Sequence, residues 1–476
     1  MSGATRALVR PLVVGAMVTS LAGCTVGPNY TRPSASVPDA YRGTTADEAI
    51  TPGTTSLGTQ KWWEVFQDEQ LQQLIGTALR QSYDVRIAAA RILQAQAQLG
   101  ITRADQFPSI TGAAQAARQR TAQAPAGAGV SFPAFESSVL EGSLSLAWEL
   151  DFWGRFRRAT EAARATLLAS EWGRQAVMTT LVASVAGAYF QLRELDLELE
   201  ISKRTLVSRQ ASLELVKNQE EHGAASMLEV RQAEQLVFTA AAAIPDLERR
   251  IEQQENFVNV LLGQNPAPIP RGRPLTAQPH APVVPAGLPS SLLERRPDIR
   301  QAEQQLVASN AQIGVAKAAY FPQISLTAVG GYQSTALSSL FSGPAAMWTL
   351  AGALSQPVFD AGRIRSTVRL AEAQRQEAVL VYQQTIQQAF REVSDSLVAY
   401  RKTQEFRVQQ ELLTRSAEDA ARLADSRYQG GATSYLEVLD SDTRSFAAEL
   451  SLAQARLDEL DALVQLYRAL GGGWQQ

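Results

Sequence analysis

The sequence predicts a mainly helical fold that carries two pairs of β-strands and is built from two copies of one large unit. Three observations lead there. The octet Gly431 to Val438, G-A-T-S-Y-L-E-V, repeats the octet Gly223 to Val230, G-A-A-S-M-L-E-V, at a distance of 208 positions with six of eight residues shared. Each octet separates two long helical patterns and so marks the turn of a helical hairpin; a repeat of that size organises a whole chain. Leu140, Gly142, Leu144, Leu146, Trp148 and Leu150 stand at every second place, opposed by Glu141, Ser143, Ser145 and Glu149, which is the period of a strand with one apolar and one polar face.

The repeat reaches well beyond the octets. Asp84 to Ile110 lies over Asp298 to Ile324 without a gap, sharing Phe107-Pro108 with Phe321-Pro322, and Gly154-Arg155 meets Gly362-Arg363. Each half therefore reads helix, F-P break, strands, G-R, long helix, octet, long helix. By this reading residues 61–263 form the first repeat and 290–471 the second, joined by a Pro-rich linker at 264–289, with a tail at 472–476.

In chain order, Arg6 and Arg10 precede the apolar stretch Leu12 to Leu21, followed by L-A-G-C ending at Cys24. Charge, apolar length and small residues mark residues 1–23 as a signal peptide. Cys24 is the only cysteine, so no internal disulfide exists, and it ends a pattern resembling a bacterial lipobox. An S-diacylglycerol and an N-acyl group on Cys24 would anchor the chain stably, where one acyl chain would not. Residues 24–60, rich in Pro, Gly, Ser and Thr, read as an extended tether. Trp62, Trp63, Val65 and Phe66 open a short helix expected to run through Leu79 and to pack on the main body.

Ser82 to Arg103 is helical and ends at Phe107-Pro108, since proline disfavours helix in the residue before it. Strands are expected at about 110–121 and 138–151, with Ala124 to Gly129 as a loop, and again at about 323–335 and 346–358. Each such strand fits either a tilted bilayer span or a soluble sandwich. Four strands cannot close a membrane barrel alone, and an open edge in lipid is forbidden; if they span, several chains pool their strands.

Gly154 to about Asn218 and Ile364 to about Arg427 are long helices, each roughly 95 Å at 1.5 Å per residue. The returning helix carries a heptad seam: Leu436, Leu439, Thr443, Phe446, Leu450, Ala453, Leu457, Leu460, Val464 and Tyr467. Helices with so narrow an apolar stripe suit a thin wall wetted on both sides. Arg295 and Arg296 precede Pro297 and Asp298, a helix entry rather than an anion patch. A net charge of -3 with no strongly basic domain argues against nucleic acid. Two histidines, His222 and His280, exclude a His-rich metal centre. No phosphate-binding loop and no nucleophile-base cluster is visible, so neither an enzyme nor a cofactor is expected.

These residues resemble the TolC family of outer-membrane efflux proteins, in its lipoprotein branch serving resistance-nodulation-division pumps. The resemblance rests on L-A-G-C at Leu21, V-G-P-N-Y at Val26, K-W-W at Lys61, R-R-P-D-I at Arg295, A-Y-F-P-Q-I at Ala319, P-V-F-D-A-G-R at Pro357 and Y-L-E-V-L-D at Tyr435. It implies a homotrimer in which four strands per chain complete a 12-stranded barrel in the outer membrane and the long helices form a hollow coiled-coil α-barrel in the periplasm. It implies an exit duct for small molecules, with an inner-membrane pump and a periplasmic adaptor as partners. Leu436, Glu437 and Asp440 match the family's periplasmic gate: a leucine ring narrowing the pore and a carboxylate ring repelling anions. Tyr428 and Glu229 match a closed-state latch. Gly223, Ala224, Gly431 and Ala432 at the hairpin tips permit close approach of an adaptor helix. A passive scaffold anchored to the outer membrane would explain the helices and lipid but not the strands.

Overall fold

A computed structural model describes residues 25–42, 56–122, 124–126, 130–132, 134–279 and 289–474. The signal peptide, Cys24, His280 and the linker stretch 280–288 lie outside the described residues. Helices α1 (Trp62–Val65), α2 (Glu69–Gln81) and α3 (Tyr83–Ala104) precede strands β1 (Ser109–Thr121), β2 (Ala124–Ala126), β3 (Val130–Phe132) and β4 (Phe135–Leu150). Then come α4 (Arg155–Glu221), α5 (Met227–Leu262), α6 (Pro289–Arg295), α7 (Pro297–Ala318), β5 (Gln323–Ser334), β6 (Ala346–Ser355), α8 (Arg363–Gln429) and α9 (Tyr435–Ala469). The two long helices, α4 and α8, are 67 residues each.

The described residues fall into two compact units, and neither coincides with a sequence repeat. One draws on 25–33, 93–169 and 303–381; the other on 34–42, 56–92, 170–279, 289–302 and 382–474. Each therefore takes parts of both repeats.

The first unit holds the strands. β1, β4, β5 and β6 form one antiparallel sheet in that order, and β2 pairs with β3 as a small hairpin where the sequence suggests only a loop. In the same unit, Ile313 and Ala316 of α7 pack on Val368 and Ala371 of α8. The segment 25–33, expected to hang as a tether, is instead strapped down. Val26 N–H donates to Trp153 O at 3.0 Å, Arg158 donates to Asn29 Oδ1 at 2.7 Å, and Arg32 forks onto Glu303 at 2.6 and 2.7 Å. Gly27, at φ +100°, lies so close to Gly314 that an added Cβ would come within 2.5 Å of its Cα. Here V-G-P-N-Y is a backbone clip, not a spacer.

The second unit carries the aromatic core. Phe66 meets Phe190 and Tyr467 edge-on, and Leu71, Ile75, Tyr189, Leu192, Leu466 and Leu470 are fully buried. The helix expected from Trp62 through Leu79 breaks at Phe66 to Asp68, because Asp68 caps α2 through its Oδ1, accepting from Gln70 N at 2.9 Å and Leu71 N at 3.2 Å. Its Oδ2 accepts from Tyr189 Oη, Arg273 N and Gln278 Nε2 at 3.1, 2.9 and 2.9 Å. One buried carboxylate thus joins α2, α4 and the segment between the repeats. Arg296 plays a similar part, reaching Asp298, Glu392 and the Ala469 carbonyl at 2.6, 2.8 and 3.1 Å.

Candidate functional site

Two features are candidates: the four-stranded sheet and the hairpin tips. In the sheet, register sorts every side chain onto one of two faces, because directly paired residues of an antiparallel sheet share a face. Ile110 faces Leu146, Leu146 faces Ala328, and Ala328 faces Leu350; one row on, Gly112, Leu144, Gly330 and Trp348 align. The apolar row of β4 thereby becomes one apolar face shared by all four strands up to Ala116 of β1; beyond it Arg118 and Arg120, opposite Ser138 and Glu136, stand on the same face. Trp348 is 81% and Leu350 73% exposed, so the face is uncovered. On the opposite face Gln115, Glu141 and Gln333 form a polar row, flanked by Ser143, Ser145 and Thr327. β1 and β6 are the edge strands. No helix among the described residues is long and apolar enough to cross a membrane.

The tips are built by local chemistry. α4 ends at Gly223, φ +77°, where Ala224 N–H donates to Gln219 O at 2.7 Å; α8 ends at Gly431, φ +70°, where Ala432 N–H donates to Arg427 O at 2.8 Å. Nothing lies within 4 Å of a Cβ built on either glycine, so backbone conformation and not space demands glycine there. Gly223, Ala224, Gly431 and Ala432 are all exposed. Behind the turns, Leu213, Val216, Val230, Ala233 and Val237 of the first hairpin share one core with Ala424, Tyr435 and Val438 of the second.

Leu436 is 62% exposed, and so is its repeat counterpart Leu228, at 66%, which the sequence reading passed over. Asp440 is ion-paired with Arg444 at 2.9 Å, and Glu437 lies 3.5 Å from Arg427. Asp440, expected to contribute to a carboxylate ring, thus carries an arginine of its own chain, as does Glu437 beside it. Tyr428 and Glu229 are not bonded to each other. Tyr428 Oη donates to Gln219 Oε1 at 2.7 Å, while Glu229 accepts from the Ser226 N–H at 2.6 Å in a capping box. Glu229 stays near enough to help burial raise the Tyr428 hydroxyl above its ordinary range. The contact expected between them is not made within this chain: Glu229 is engaged in its capping box and the Tyr428 hydroxyl on Gln219.

The structure also supplies a clamp that the sequence does not announce. Arg209 of α4, with its side chain 3% exposed, donates to Asp442 Oδ2 at 2.8 Å and to Leu236 O at 3.0 Å, and lies over the Phe446 ring at 4.9 Å. It lines a cavity of about 200 Å³ with Asp425, Tyr435 and Asp442. The signal available in the sequence was an arginine inside an apolar pattern, which does not name its partner 233 residues away. Among the described residues no cluster of His, Cys, Asp and Glu is arranged to hold a metal ion.

The model of the family described as "Outer membrane efflux protein" matches this chain over residues 74–264 and again over 288–472. The chain is 39% identical to the probable efflux pump outer membrane protein TtgC of Pseudomonas putida, covering 96% of this chain and 94% of that one. It is 34% identical to the cation efflux system protein CusC of Escherichia coli, over 96% and 97% of the two chains. The structure superposes on the open state of the Neisseria gonorrhoeae MtrE outer membrane channel with a TM-score of 0.84 at 30% identity, covering 95% of this chain and 99% of that one.

Proposed function

The chain belongs to the outer membrane efflux protein family, and from that premise we propose that three copies assemble into the exit duct of a tripartite pump of the resistance-nodulation-division type. The observation that carries this is the sheet: one apolar face, one polar face and two edge strands on a single four-stranded panel. A lone panel in lipid would leave its edges unsatisfied. Three panels close a barrel of 12 strands with the apolar face to lipid and the Gln115–Glu141–Gln333 row to water. A lipid on Cys24 would tether each chain to the same membrane.

The helical tips supply the resting constriction. Leu436 presents a bare apolar side chain, and the Asp440–Arg444 and Glu437–Arg427 pairs place compensated charge beside it. Both pairs lie within one hairpin tip, Asp440–Arg444 one turn apart on a single helix, so neither ties a tip to its neighbour. A periplasmic adaptor opens them only if it binds the dilated tips more tightly than the closed ones; the exposed turns at Gly223-Ala224 and Gly431-Ala432 are where it would dock. Energy comes from the inner-membrane pump. The test is single-channel recording in planar bilayers. Stable conductance steps from the purified trimer are expected, and a folded trimer that never conducts would turn the reading to a scaffold.

A further inference from the structure

The two hairpins of the panel are in the same register. An offset of 214 relates Phe107 to Phe321, and one of 208 relates Gly154 to Gly362. Carried by these offsets, the pair Ser109–Ala147 becomes Gln323–Ser355, and Ile110–Leu146 becomes Ile324–Leu354; both are pairs of the second hairpin. The offsets were set by residues outside the strands, so the repeat reaches down to backbone pairing. The chain also holds one junction from a first-half strand to a second-half strand, β4 against β5, where Leu146 faces Ala328 and Ser143 faces Gly331. β6 and β1, the edge strands, are the repeat counterparts of β4 and β5.

We propose that β6 of one copy pairs antiparallel with β1 of the next copy in the register of the β4–β5 junction. Leu354 then faces Ala114 of the next copy, Ala353 faces Gln115 of the next copy, and Ala351 faces Ala117 of the next copy. This rests on the shared-barrel reading and adds the alignment. The alignment keeps Leu354, Leu350 and Trp348 on the face already formed, with Leu350 and Trp348 set opposite Arg118 and Arg120 of the next copy at the far end of β1, whereas a slip of one residue would turn that face inward. It also accounts for exposed side chains beyond the strand ends. Val358 is the counterpart of Leu150, which faces Ile324 within the chain. Val358 is 99% exposed and Ile110 69% exposed; the junction brings Val358 against Ile110 of the next copy. Within the chain Phe321 is covered by the stacked ring of Trp153, 4.6 Å between centroids. Its counterpart Phe107 is exposed; the offset of 208 carries Trp153 to Ala361, so the 88% exposed Phe359 stands two residues from the place opposite Phe107 of the next copy.

The test is oxidative cross-linking of the full chain in outer membranes. Wild type has a single cysteine, Cys24, so single substitutions serve as controls. Facing residues of an antiparallel pair sit about 4.5–5.5 Å apart at Cα, within disulfide reach. A slip of two residues adds about 7 Å along the strand and takes the pair beyond the roughly 7 Å limit. A117C/A351C and, independently, Q115C/A353C should give covalent dimers and trimers on non-reducing gels, and A117C/A353C should not. Cross-links formed preferentially by A117C/A353C overturn the register and leave the shared barrel standing. Absence of cross-links from all three overturns the register; the shared barrel then stands if the chains recovered from the outer membrane run as a trimer on mild native gels, and falls with it if they run as monomers.

Discussion

At the scale of single residues, buried carboxylates and the tip carboxylate do different work. Glu194 is 1% exposed, and burial, together with the adjacent Glu198 and with Asp458, pushes its carboxyl up to about 8 against the opposing effect of Arg250. A folded pKa above the unfolded one means that the neutral acid suits the fold. Its contribution is fully present below the ordinary carboxyl range and lost as pH rises through about 8. Glu194→Gln should therefore leave the melting temperature nearly unchanged at pH 5 and raise it at pH 9; an unaltered pH slope would remove Glu194 from this role. Asp440 is exposed, and its value lies in charge balance. Asp440→Ala would leave Arg444 without its partner at the proposed constriction. Resting conductance should rise and the reversal potential in a salt gradient should shift toward anions; unchanged permeability would take Asp440 out of the gate.

At the scale of elements, the repeated octet performs unequally in its two copies. Ser226 caps α5 and Glu229 returns the bond, whereas Ser434 makes no side-chain cap and Glu437 turns to Arg427. Ser226→Ala should cost about 1 kcal/mol, read as faster hydrogen exchange at 224–230. Ser434→Ala should change exchange at 432–438 little. The identical letters S-x-L-E give no hint of this, because the deciding partner, Arg427, stands where the first copy has Gln219. The heptad seam of α9 shows a similar divergence. Toward the Gly471 end Leu460, Val464 and Tyr467 are buried as the periodicity requires. Toward the tip the chain buries Tyr435, Val438, Ser445 and Ala448 instead, and Leu436 and Thr443 stay exposed. One periodic stripe was legible; a helix that meets a neighbour on each side needs two, and the second, of small residues, is weak in any hydrophobic pattern.

At the scale of the whole molecule, the sheet's faces predict opposite responses from adjacent positions on β6. Leu350→Arg puts charge on the face proposed to meet lipid and should cost up to about 2–4 kcal/mol, the midplane value, read as loss of assembled trimer from the outer membrane. Thr349→Arg, one residue away on the polar face, should assemble normally and alter conductance. Equal effects of the two would contradict the assignment of faces.

Periodicity, punctuation and duplication are properties of neighbours along the chain, so the strands, the long helices, the turns and the doubled plan could be read from the letters alone. The family motifs likewise lie in contiguous runs. What folding alone decided is which distant groups meet: Asp68 with Tyr189 and Gln278, Arg209 with Asp442, Tyr428 with Gln219 and not Glu229. Those choices depend on packing between segments roughly 120 to 230 positions apart, where a polar side chain finds its partner by position in space and no local pattern records the address.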